Sequence, residues 1–178
     1  MARLLGAATK EFLPALAIGG FAGLRSPEIE RLEWQEINLV ERFIEVKKGK
    51  SKTAARRLVP ITDNLAAWLG PYANCRGRVW PGGHDDFYDA QQRTAEATAT
   101  ETLAAVKWKT NALRHSFISY RLATVQNVNQ VALEAGNSPQ MIFRHYRELV
   151  RPADAKKWFA IEPSGSSSDH PTPAAAAA

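Results

Sequence analysis

The chain has 178 residues, 45% of them hydrophobic and 23% charged, which is enough apolar content for one packed core and excludes collagen-like, low-complexity and disulfide-scaffold classes. The single cysteine, Cys75, forbids an internal disulfide and any multi-cysteine zinc site. Lys and Arg outnumber Asp and Glu by 23 to 18, a basic surplus that suits a polyanionic partner such as nucleic acid.

The longest apolar stretch, Phe12 to Leu24, is interrupted by Pro14, Gly19, Gly20 and Gly23. It is too short for a membrane span of about 20 residues. Lys10 and Glu11 before it, and the lack of a small-residue cleavage site, do not fit an export signal. Phe12 to Phe21 reads instead as a largely buried helix. Ser26-Pro27-Glu28 is a helix start, with Ser as N-cap, Pro at the first helical position and an acid in the first turn. Phe43 to Val46 and Arg57 to Ile61 read as two short strands joined by a basic turn. Asp63 caps a helix running through Trp68, Gly77 to Gly83 is a loop, and a long polar helix is expected from about Asp85 to Val106.

Helical periodicity then returns at Asn111 to Ala123. A helix from Asn127 to Ala135 is capped by Asn127 and stopped by Gly136. Ser138-Pro139 starts another, containing Ile142 and Tyr146, and Pro152 starts a last one ending near Trp158-Phe159. From Pro163 the sequence holds no core-forming residues, so 1–162 is the expected folded part and 163–178 an expected disordered tail. The class is mainly α with a small antiparallel β-sheet or hairpin (α+β).

Four groups of residues are suited to chemistry. Lys47, Lys48, Lys50, Lys52, Arg56 and Arg57 lie within eleven residues with no acid among them. They read either as a solvated turn or as a hairpin that enters a DNA groove and contacts phosphates. Arg25, just before a helix start, reads either as an anion ligand or as a surface partner of Glu28 or Glu30. Asn111 and Arg114 share a helix face, where Arg114 can clamp a phosphate through two N–H groups or stand as a surface arginine behind a capping Asn111. His115 is one position on, points elsewhere and reads as a hydrogen-bonded structural histidine. Tyr146 lies amid Arg144, His145 and Arg147, either as a half-buried helix tyrosine or as a phenol whose pKa nearby cations lower.

Taken in order, Arg25 after Gly-Leu, Glu28, Lys52 in the basic hairpin, Arg114 in Leu-Arg-His-Ser and Tyr146 nine residues after Asn137 resemble the tyrosine recombinase (phage integrase) family. The resemblance covers roughly Leu4 to Phe159 and implies that family's catalytic-domain fold. It implies that Arg25 and Arg114 grip the non-bridging oxygens of the scissile DNA phosphate, with Glu28 supporting the first arginine. Lys52, or Lys50 if the hairpin register slips, protonates the 5′-hydroxyl leaving group. Tyr146 is the nucleophile that forms a 3′-phosphotyrosyl link. The implied partners are double-stranded DNA, contacted by Lys47, Lys48, Lys50, Arg56, Arg57 and Arg144, and other protomers, as a tetramer on two DNA sites, with neither metal nor other cofactor and no membrane. Arg151 to Phe159 is either a segment exchanged between protomers or a helix packed on its own chain. The implied setting is the cytoplasm of a bacterium, with the protein bacterial or phage-encoded and nucleoid-associated. Its implied work is integration or excision of a mobile element.

The sequence departs from the family in two respects. Asn111 and Asn137 stand where the family usually has histidine. Asparagine still hydrogen-bonds a phosphate oxygen but exchanges no proton near neutral pH. The family's N-terminal DNA-clamping domain has no counterpart here, so 1–162 is expected to be the catalytic part alone. Two alternatives follow: a DNA-binding remnant or regulator that no longer cuts, and a topoisomerase-like enzyme that relaxes DNA by the same chemistry.

Overall fold

The computed structural model describes residues 1–47, 56–146 and 150–165. Lys48, Lys50 and Lys52 of the basic turn, Arg147, and 166–178 of the expected tail lie outside the described residues.

A short helix, α1 (Ala2–Ala7), not anticipated from the sequence, leads into α2 (Leu13–Phe21). The buried α2 supplies Leu16, Ala17, Ile18 and Phe21 to the main core, each fully excluded from solvent. Gly23 follows with φ of +66°, a left-handed turn that reverses the chain. The Phe117 ring fills the place where a Cβ would stand. Helix α3 (Ser26–Ile29) begins one residue earlier than expected: Arg25 is the N-cap, and the Glu28 carboxylate accepts the Arg25 backbone N–H at 2.8 Å.

The sheet has three antiparallel strands, β1 (Ile37–Asn38), β2 (Phe43–Val46) and β3 (Arg57–Pro60), in the order β1-β2-β3. Strand β1 is only two residues long, too short to leave a periodic signal. Ile44, Val46 and Val59 form the buried face. Arg57 is opposite Val46 and two residues from Val59, so strand alternation sends it inward with them. Leu58 takes the outward face and is exposed.

Helix α4 (Asp63–Leu69) is N-capped by Thr62, with Asp63 as its first helical residue. The long helix expected to reach Val106 stops at Glu96, forming α5 (His84–Glu96). Thr98 explains the stop: its hydroxyl donates to the Ala95 carbonyl and accepts the Val106 N–H, while Arg3 donates to the carbonyls of Thr98 and Ala104. These ties to α1 hold 97–111 as irregular chain.

The C-terminal helices follow the sequence closely. They are α6 (Ala112–Val125), α7 (Val128–Ala135), α8 (Pro139–Tyr146) and α9 (Pro152–Phe159). The Asn127 side chain caps α7 by accepting from the Gln130 N–H, and Gly136, φ +62°, ends it. A second core of Phe117, Ile118, Val131, Ala132, Ala135, Ile142 and Tyr146 binds α6, α7 and α8 together. Helix α9 packs on α6 of its own chain. There Trp158 stacks on Tyr120 with ring centroids 4.3 Å apart, and its indole N–H donates to the Gly20 carbonyl. Among the described residues no helix is long and apolar enough to cross a membrane.

Candidate functional site

Three turns converge where α2 ends, α6 begins and α7 ends. The ends of α2 and α7 contribute backbone carbonyls, and two arginines, one of them from the start of α6, tie them together. Arg114, on the first turns of α6, is buried at 7% exposure. It donates through Nη1 to the Gly23 carbonyl at 2.7 Å and through Nη2 to the Ala135 carbonyl at 2.6 Å. Burial, reinforced by the nearby Arg25 charge, pushes its pKa down to about 10, so it remains cationic at neutral pH. Arg25 donates through Nη2 to the Gly136 carbonyl at 2.8 Å and to Asn137 Oδ1 at 3.0 Å. The two guanidiniums are therefore pinned to consecutive carbonyls of one turn, and Arg25 keeps 39% of its side chain open to solvent.

Glu28 is the anion of this cluster. Its carboxylate, 11% exposed, accepts from Arg57 Nη1 and Nη2 at 2.9 and 2.8 Å and from Arg25 Nη1 at 3.2 Å. Burial alone would raise its pKa, but the Arg57 hydrogen bonds, the Arg25 N–H and both positive charges hold it below the ordinary glutamate value. Arg57 also donates to the Glu134 carbonyl at 3.0 Å. Arg57, expected among the DNA-contacting cations, is instead an internal strut. The other described members of that group face solvent: Arg56 pairs with Glu45, Lys47 with Glu36, and Arg144 is exposed on α8.

Tyr146, on the last turn of α8, is 8% exposed and lies close enough to Arg114 to feel its charge. Burial pushes its phenol up from the ordinary value, and Arg114 offsets only part of this. Of the two readings of Tyr146, the phenol lowered by nearby cations does not hold: Arg144 is exposed, and exclusion from water outweighs the charge of Arg114. The phenol oxygen is in hydrogen-bond contact with His115 Nδ1, and the rings stack with centroids 5.6 Å apart. His115 does not point elsewhere. The two residues share a depression of about 470 Å³ with Ser116, Ser119, Tyr120 and His145. The sequence signal was the i to i+1 step from Arg114: with the arginine turned inward, the next residue projects about 100° round the helix, towards α8.

Asn111 occupies the N-cap of α6 in a left-handed conformation, φ +57°, but its side chain makes no capping bond. Its exposed side chain lies at the rim of a cavity of about 710 Å³ beside Arg25 and Arg114, which Leu16, Phe87 and Trp108 help to line. Asn137 is committed to Arg25 through Oδ1. Among the described residues no three His, Cys, Asp or Glu side chains stand close enough to hold a metal ion together.

No protein-family model matches the sequence. No curated protein matches it either. Solved structures do. The chain is similar to the XerA recombinase, with TM-score 0.65 and 18% identity over 90% of this chain and 61% of that one. It is similar to the catalytic domain of bacteriophage HP1 integrase, with TM-score 0.57 and 24% identity over 80% of each chain. It also resembles the Tn1549 transposon integrase, solved with a circular intermediate DNA, with TM-score 0.62 and 18% identity over 83% of this chain and 57% of that one. The chain therefore spans about three fifths of the length of the XerA and Tn1549 proteins. A mainly helical body around a small antiparallel sheet, superposable on these recombinases and integrases, is the fold of the tyrosine recombinase catalytic domain.

Proposed function

We propose that this chain is the catalytic domain of a site-specific DNA recombinase, which cleaves and rejoins DNA strands through a 3′-phosphotyrosyl intermediate. The observation that carries the reading is the placement of Arg25, Arg114 and Tyr146. Residues far apart in sequence meet around one turn, where Arg25 and Arg114 are fixed cations and Arg114 lies close enough to the Tyr146 phenol to feel its charge. Fixed guanidiniums beside a hydroxyl suit in-line attack on a phosphodiester, because they neutralise the charge that builds on the non-bridging oxygens without reorganising. In this reading Arg25 and Arg114 hold those oxygens and Tyr146 attacks phosphorus. Lys52 protonates the departing 5′-oxygen, with Lys50 as the other candidate. Glu28 holds Arg25 in place. Asn111 adds a hydrogen bond to a phosphate oxygen, and Asn137 orients Arg25.

Duplex DNA is the substrate, approached by the outward cations Lys47, Arg56 and Arg144 and by Lys48. The Tn1549 neighbour, solved with DNA, supports this choice. A tetramer on two DNA sites, serving integration or excision of a mobile element, is the corresponding assembly. The test is a covalent trap on DNA that flanks the protein's own gene, quenched with detergent. The wild-type protein gives a protein–DNA adduct and Tyr146→Phe gives none. Binding without any adduct would replace this reading with that of a DNA-binding protein that does not cut.

A further inference from the structure

We propose that His115 is the general base that removes the phenol proton of Tyr146 as the tyrosine attacks DNA. The inference rests on the reading of Tyr146 as nucleophile and assigns a catalytic role to a residue outside the set implied by resemblance. It starts from geometry: Nδ1 of His115 lies on the phenol oxygen, and the two rings stack at 25°. With the ring proton on Nε2, Nδ1 accepts from the phenol. His115 itself is exposed, so a proton it takes can pass to water.

The need for a base follows from the site. Burial holds the phenol above its ordinary pKa of 10, so it is protonated at neutral pH. Asn111 and Asn137 cannot accept a proton there, and Asn137 Oδ1 is already occupied by Arg25. Arg114, the preceding residue on α6, is a pinned cation. Glu28 is held as an anion by Arg25 and Arg57. From α8, His145 lines the same depression, but it precedes Tyr146 in the helix and projects about 100° away from it. His115 is left as the acceptor in contact with the reacting oxygen.

The step balances. Tyr146 Oη forms a bond to phosphorus while its proton moves to His115 Nδ1. The bond from phosphorus to O5′ breaks with its electron pair on O5′, which takes a proton from the hairpin lysine. On rejoining, an incoming 5′-hydroxyl gives its proton to that lysine and attacks phosphorus. The phenolate leaves and recovers its proton from His115.

The experiment measures single-turnover adduct formation on a duplex carrying the DNA that flanks the protein's gene. His115→Ala should slow adduct formation about 10²–10⁴-fold, and added imidazole should restore part of the loss. His115→Asn offers the phenol a hydrogen bond near the Nδ1 position without proton exchange, so it should stay slow. A substrate with sulfur in place of the bridging 5′-oxygen, at the mapped cleavage position, needs no acid for its leaving group. It should leave the His115→Ala defect in place. Wild-type rates in His115→Asn, or full rescue by the sulfur substrate, would overturn the assignment while leaving Tyr146 as nucleophile. A wild-type protein that forms no adduct would overturn the functional reading and the assignment together. Circular dichroism melting of each variant shows whether it is folded, and a folded His115→Ala that imidazole fails to rescue counts against the proposal.

Discussion

Replacing Glu28 by Gln tests the electrostatic logic of the site without touching the nucleophile. The carboxylate is 11% exposed and Arg57, its main partner, 10%. Gln keeps the shape but removes the charge and turns one acceptor into a donor facing guanidinium N–H groups. Removing one partner of a buried pair costs about 3–5 kcal/mol. The 39% exposure of Arg25 lets water replace part of its interaction, so a cost of about 3 kcal/mol, the lower end of that range, is expected. For a chain of this size that lowers Tm by about 6–12 °C. The pH dependence has a definite sign. The folded-state pKa lies below the ordinary 4.5, so the stabilisation is complete above 4.5 and is lost as pH falls through the depressed folded value. Thermal melts followed by circular dichroism at neutral pH and at a series of acid values check both points. The gap between wild type and Glu28→Gln should be widest at neutral pH and close on acidification. A gap under about 1 °C at neutral pH, or one that does not narrow in acid, would refute the account of Glu28 as the anion that holds two arginines.

Gly23→Ala should cost at least about 2 kcal/mol, because a left-handed φ and a Cβ driven into the Phe117 ring act together; urea denaturation measures it. Trp158→Ala should remove about 3 kcal/mol by losing the stack on Tyr120 and the bond to Gly20, and hydrogen exchange should rise in Pro152–Phe159 before it rises elsewhere. Arg114→Lys cannot reach the Gly23 and Ala135 carbonyls as a planar fork. It should slow adduct formation about 10²–10³-fold, and a rate within threefold of wild type would show that the fork is not needed.

The sequence was most legible where local chemistry and tertiary packing agree. The Asn127 cap, the Gly136 stop, Pro139 and Pro152 mark α7, α8 and α9 because the Asn127 side chain satisfies a backbone N–H, Gly136 takes the left-handed turn, and each proline fits a first-turn position whose N–H has no helical partner. Arg25, Glu28, Arg114 and Tyr146 were recognisable as a set by order and spacing. Two further features follow from the sequence pattern alone. Strand alternation already places Arg57 on the face of Val46 and Val59, and the step after a buried Arg114 aims His115 towards α8. Other features had no local signal. Strand β1 is two residues long, and α5 ends at Glu96 because Arg3, from the far end of the chain, and Val106, eight residues on, both bind Thr98.

The central claim is that Tyr146 attacks the DNA phosphate and leaves a free 5′-hydroxyl. The most direct measurement digests the trapped adduct with protease, identifies the nucleotide-bearing peptide by mass spectrometry and labels the released DNA end with polynucleotide kinase. The account predicts a 3′-phosphate on the peptide containing Tyr146 and a 5′ end that accepts label without phosphatase treatment. Attachment at another residue, or a released end that takes label only after phosphatase, would contradict it.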